Sequence, residues 1–163
     1  MRIEESIVID RPRMEVFAYL VDRRHDAEWM GSVVESEWLE HDDPLAVGRR
    51  GRMVLRIFGK RSETIDEVSE FVPGEHIAHR TVQGTLLLNT ACLTKEEGRR
   101  TRTTVTGEAD GLVGGKFGRL LDPFVAGIMR RGFKADLRRL KRILESERSA
   151  TPARGVGSAS SGR

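Results

Sequence analysis

The sequence predicts an α+β protein in which a meandering antiparallel sheet of about seven strands grips one long C-terminal helix. Three patterns carry that prediction. Between residues 2 and 109, apolar and polar residues alternate in short runs, the period of a half-buried strand. Brief turn signals separate the runs, too short for the crossovers that parallel strands need. After Gly111 the apolar spacing lengthens to three and four residues, the stripe of an amphipathic helix.

The elements follow in order. RIEESIVI (2–9) reads as the first strand. Asp10 and Pro12 mark a helix start, because Asp accepts bonds from free N–H groups and Pro is tolerated in a first turn. Met14, Val16, Phe17 and Leu20 give that short helix an apolar face. A second helical turn is expected from Arg23 to Met30, stopped by Gly31. SVVESEWLE, RMVLRIFG, SETIDEVSEFV, HIAHRTV, TLLLNTACLT and TRTTVTGEA then read as the further strands. QG at 83–84 and FGKR at 58–61 are expected to be tight hairpins.

The helical stripe runs through Phe117, Leu120, Leu121, Phe124, Val125, Ile128, Met129, Phe133, Leu137, Leu140 and Leu144. Pro123 lacks a backbone donor and is expected to kink or divide it, while Gly114, Gly115 and Gly118 loosen its start. The helix should be firm from Phe124 to Glu147. TPARGVGSASSGR has no apolar period and is expected to be a disordered tail. One domain over 1–147 and a tail over 148–163 result.

Composition narrows the function classes. At 38% hydrophobic and 33% charged residues, the core is thin and the exterior well solvated. Cys92 is the only cysteine, so no internal disulfide forms, and its strand context reads as a small core residue. No stretch approaches the ~20 apolar residues of a membrane span, and the acidic N-terminus argues against a signal peptide. The cytoplasm is the expected location. No His, Cys or carboxylate spacing suggests a metal, and no glycine loop has the Lys-Ser/Thr ending of a phosphate cradle; no cofactor is expected.

Charge is unevenly spread. Residues 1–110 hold 16 Lys/Arg against 21 Asp/Glu, and residues 111–148 hold 10 against 4. The basic excess therefore belongs to the C-terminal helix. A solvated face explains it; contact with an anionic membrane or an acidic protein through Arg138, Arg139 and Lys141 is the alternative. Nucleic acid is disfavoured, because no base-stacking aromatics accompany the charges.

With IVIDRPRMEVFAYLVD, the Trp of HDAEWMGSVVE, VGRRGRMVL, DEVSEFVPGEHI, TRTTVTGE and LRRLKRILE in this order, residues 2–147 resemble the START-like, birch-allergen-like superfamily of helix-grip proteins (SRPBCC). Within it the sequence is similar to the bacterial polyketide cyclase/dehydrase-type members. The resemblance implies a cavity between sheet and helix, used by relatives for ligand binding, lipid carriage or aromatic cyclisation. It supplies no single catalytic motif, and fold does not settle chemistry.

The first expectation is therefore a non-enzymatic binding module for a small hydrophobic molecule such as a lipid, polyketide or aromatic compound. A cyclase or dehydratase is the second, and partner or membrane-surface binding the third. Trp29, Trp38, Met53, Leu55, His79, Leu87, Asn89, Phe117, Leu121 and Phe124 are the candidate ligand contacts. Counting by twos, Val68 inward brings Asp66, Ile77 brings His79 and Thr81, and Leu87 with Leu93 brings Asn89. His79 beside Asp66 is the candidate catalytic pair, since imidazole near a carboxylate suits a general base. His25, His41 and His76 read as exposed. Trp29 is expected to plug one end of the core, and Trp38 to form cavity wall or half-exposed edge. Phe117, Leu121, Phe124, Ile128 and Met129 are expected to face the sheet.

Overall fold

A computed structural model of the chain describes residues 2–40, 44–57, 59–84, 87–108 and 118–147, without the side chains of 118–124 and 147. Seven strands form one antiparallel sheet: β1 (Arg2–Ile9), β2 (Val33–Trp38), β3 (Arg50–Ile57), β4 (Lys60–Val72), β5 (His76–Gly84), β6 (Asn89–Glu97) and β7 (Arg100–Glu108). Their spatial order is β1-β7-β6-β5-β4-β3-β2, a meander from β2 to β7 with β1 paired to the last strand. Between β1 and β2 lie α1 (Arg13–Val21), a 3-10 turn (Arg23–His25) and α2 (Asp26–Trp29). The long helix α3 (Gly118–Glu147) follows. This is the predicted helix-grip architecture.

Directly paired residues of an antiparallel ladder point to the same face. The inward face can therefore be read across the sheet. Trp38, Gly51, Asp66 and Thr81 form one row, and Val68, His79, Thr90, Gly107 and Ile3 another. Bulges in β4, between Ile65 and Asp66 and between Val68 and Glu70, let Val68 and Phe71 both join an inner apolar cluster.

The main core sits where the second half of α3 crosses the β1–β7 side. Leu137, Leu140 and Leu144 pack there with Ile9, Val16, Tyr19, Leu20, Trp29 and Val105. Each such fully buried side chain contributes about 1.5–3 kcal/mol of transfer free energy. The outer edge of the Phe133 ring approaches Gly107, where a β-carbon would come within 2.8 Å of it. Inward-pointing Glu5 meets Arg130 (3.3 Å) and Lys134 (3.7 Å), pinning the middle of α3 above β1.

Several expectations are corrected. The strand read at TLLLNTACLT begins only at Asn89, and β5 extends through Gly84, so Gln83 and Gly84 belong to a strand. Helix α3 continues through Pro123 instead of dividing there; one missing donor bends a long helix more readily than it ends it. The first helix has Pro12 at its N-cap position, directly before the first helical residue Arg13. Ile128 is 40% exposed and turns away from the core, because the buried stripe runs through Phe133, Leu137 and Leu140. Of the segment read as the FGKR hairpin, Lys60 and Arg61 open β4, with Lys60 paired to Ile57, and Phe58 lies outside the described residues. His41 and the proposed tail lie outside the described residues. Among the described residues, no helix is long and apolar enough to cross a membrane.

Candidate functional site

The inward face of β2–β5 carries a polar cluster that the flanking helical turns complete. Arg23, at the start of the 3-10 turn, is only 5% exposed. Its guanidinium reaches over β3 to Asp66 of β4 and binds both carboxylate oxygens; the Nη1–Oδ2 bond is 3.2 Å, and Nη2 meets Oδ1. Gly51 makes this possible. It pairs with Asp66 on the inward row, and a β-carbon there would lie 2.6 Å from Arg23 Nε.

Asp66 also meets His79, whose Nδ1 is 3.3 Å from Oδ1. Burial alone would raise the Asp66 carboxyl, but the His79 bond and the Arg23 charge outweigh it and hold it below its ordinary value. Asp66 Oδ1 therefore sets the His79 ring by its Nδ1 side. The other ring nitrogen, Nε2, has no hydrogen bond among the described residues.

A second carboxylate lies behind the first. Buried Asp26, from α2, accepts a 2.6 Å bond from Ser36 Oγ of β2. Arg23 Nη1 stands 3.4 Å from the same hydroxyl, linking the two acids through one serine. Burial pushes Asp26 up to about 6, with only partial relief from Ser36 and Arg23. Across the core, burial and the neighbouring Asp26 charge push the Cys92 thiol up to about 12. Cys92 is thus a protonated core residue, as its strand context suggests.

Trp38 forms one wall of the cluster. The Arg23 guanidinium carbon lies 4.2 Å from its ring centroid and that of Arg49 4.6 Å. The His79 ring is 6.1 Å away and tilted. Met53 and Leu55, paired with Thr64 and Ser62, face inward beside it and are half-buried.

The expected contacts divide as follows. Asp66, His79, Trp38, Met53 and Leu55 share the inward face. Trp29 is 4% exposed, buried inside the helix–sheet core. Leu87 and Asn89 do not face inward: Cys92 pairs with Ile77 and Thr90 with His79, so even-numbered residues of β6 point in. Asn89 is exposed, Leu87 is 63% exposed and Leu93 is 47% exposed. Phe117, and the side chains of Leu121 and Phe124, lie outside the described residues. His25 and His76 are half-buried and not free: His25 stacks on Tyr19 and meets Glu28, and His76 meets Glu70. Of the basic helix residues, Arg138 is exposed, Lys141 donates to the Val8 carbonyl and pairs with Glu145, and Arg139 packs beside Gly31.

Reading by residue type misses Arg23, Asp26, Ser36, Arg49 and Gly51. Only one signal pointed to them, a glycine in the phase of an inward strand position, which marks close approach of another group. Among the described residues, no group of three or more His, Cys, Asp or Glu could hold a metal.

Comparison with known proteins agrees with this architecture. Residues 1–145 match the family model described as polyketide cyclase / dehydrase and lipid transport. Among solved structures, TTHA0849 from Thermus thermophilus superposes with a TM-score of 0.76 at 19% identity, over 90% of this chain and 99% of that one. A START superfamily protein from Mycobacterium smegmatis gives 0.73 at 14%, over 90% and 98%. The Zhui aromatase/cyclase from Streptomyces sp. R1128 gives 0.74 at 18%, over 96% and 99%. None of the curated proteins compared with the chain matches it.

Proposed function

This chain belongs to the polyketide cyclase / dehydrase and lipid transport family, and on that premise we propose that it binds a small hydrophobic molecule between the inward face of the sheet and α3. One observation carries the reading. Helix α3 fills the β1–β7 side with Leu137, Leu140 and Leu144, yet the inward apolar side chains of β2 and β3, Trp38, Met53 and Leu55, stay only half-buried. Large apolar groups that face inward and stay partly uncovered line a site for another apolar surface. The buried polar cluster beside them supplies a few fixed groups to orient what binds.

The test is a thermal-shift series with fatty acids, flat polycyclic phenols and sterols. Binding to the folded state raises the melting temperature with ligand concentration. Leu55→Trp, which fills the space, should abolish the shift while preserving the fold.

A second reading is favoured by the His79–Asp66 pair. An imidazole held by a carboxylate on Nδ1, with Nε2 turned from it, has the arrangement of a general base. Proton abstraction next to a carbonyl, followed by ring closure or loss of water, is the chemistry it would serve. The aromatase/cyclase named above is 18% identical and lends its fold, not its reaction. Turnover that survives His79→Ala would end this second assignment.

A further inference from the structure

Arg49 is the group that neither reading uses. It stands immediately before β3 and extends the inward row, because the Val68 amide donates to its carbonyl (2.9 Å) and Val68 is paired with His79. Its guanidinium lies over Trp38, and its Nη2 donates to the Glu40 carbonyl (2.7 Å). Its Nε is buried with no acceptor, and no carboxylate among the described residues pairs with it. Arg23, on the same indole, is by contrast matched by Asp66. Beside the Trp38 ring there is therefore a guanidinium that no described carboxylate matches, together with His79, whose Nε2 has no hydrogen bond among the described residues.

A wholly apolar ligand laid against these groups would cover the Arg49 guanidinium and the His79 ring nitrogen without offering either a polar partner. A carboxylate or comparable anionic oxygen would satisfy them, and Arg is suited to hold one while remaining stacked on an aromatic face. We propose that the ligand of this protein is an apolar molecule with one acidic oxygen head, and that Arg49 and His79 hold that head beside Trp38. This rests on the binding reading above and narrows it to anionic amphiphiles.

The test compares two fluorescent probes that differ by one anionic group, anilinonaphthalene sulfonate and its sulfonate-free parent, phenylnaphthylamine. The wild-type protein should prefer the sulfonate by roughly tenfold or more, the scale of a charged hydrogen bond. Arg49→Met should remove that preference and leave the neutral probe bound as before, which also reports an intact fold. Arg49→Lys should restore part of it, and Arg138→Met, on the exposed face of α3, should change neither probe. Equal binding of both probes, or a preference that survives Arg49→Met, would overturn the acidic head while leaving the binding reading in place. Binding of neither probe would overturn both.

Discussion

Arg23 and Gly51 claim the same space: the guanidinium lies where a side chain at position 51 would stand. A turn between two helices thereby inserts a cation through the sheet's inward surface to a carboxylate on the next strand. The Arg23–Asp66 pair is a fixed internal element of the site, and it orients His79 through the shared Asp66.

Breaking that pair on one side should be costly. Arg23→Met leaves Asp66 buried without its cation, and a destabilisation of about 3–5 kcal/mol is expected by urea unfolding. The double variant Arg23→Met with Asp66→Asn should recover a large part of it, because no unpaired charge is left. Strictly additive losses would contradict the coupling. Gly51→Ala should act in the same direction as Arg23→Met by displacing the guanidinium.

Asp26 predicts a pH dependence. Its carboxyl is raised in the fold from 3.8 to about 6. The folded state therefore binds more protons than the unfolded state between these values. The stability it contributes is fully present below about pH 4 and is lost as pH rises through about 6. Asp26→Asn should remove that loss, so the variant gains about 1–3 kcal/mol relative to wild type between pH 4 and pH 8. Denaturant titrations at the two pH values check it; an unchanged difference would show that Asp26 ionises as an ordinary carboxylate.

Cys92 should behave as a core residue, with its thiol pushed up to about 12. At pH 8 an accessible thiol is partly thiolate and alkylates quickly. Iodoacetamide should label Cys92 at a rate that tracks unfolding in denaturant. Labelling of the native protein at the rate of a free cysteine would contradict its placement.

Contact between Gly107 and Phe133 fixes how closely α3 approaches β7. Gly107→Ala adds a methyl group 2.8 Å from the ring, so the Phe133 side chain or the helix that carries it must shift. A loss of about 1–3 kcal/mol is expected, and Phe133→Leu in the same background should restore part of it.

Much of the fold was legible because alternation is a local property. RIEESIVI and TRTTVTGE keep a two-residue period and form β1 and β7, and SETIDEVSEFV forms β4 with bulges that shift its phase. The inward placing of Asp66 and His79 followed from Val68 and Ile77, two residues whose burial is unambiguous. TLLLNT was misread because three successive leucines carry no alternation, and the phase of β6 is set by Cys92 opposite Ile77 and Val105. The centre of the site was illegible for a different reason. Arg23 and Asp66 are 43 residues apart, and Arg23 stands in a run of charge that reads as solvated surface. Its burial depends on a missing side chain at Gly51, which only the folded chain brings beneath it.

The central claim is that the inward face holds a small hydrophobic ligand, and native mass spectrometry of the purified protein tests it most directly. Gentle ionisation should show an adduct of a few hundred daltons, on the scale of a ligand that fills a typical small-molecule pocket. Solvent extraction should release it, and Leu55→Trp should lack it. A protein that flies empty, and whose melting temperature ignores a broad panel of apolar ligands, would contradict the account.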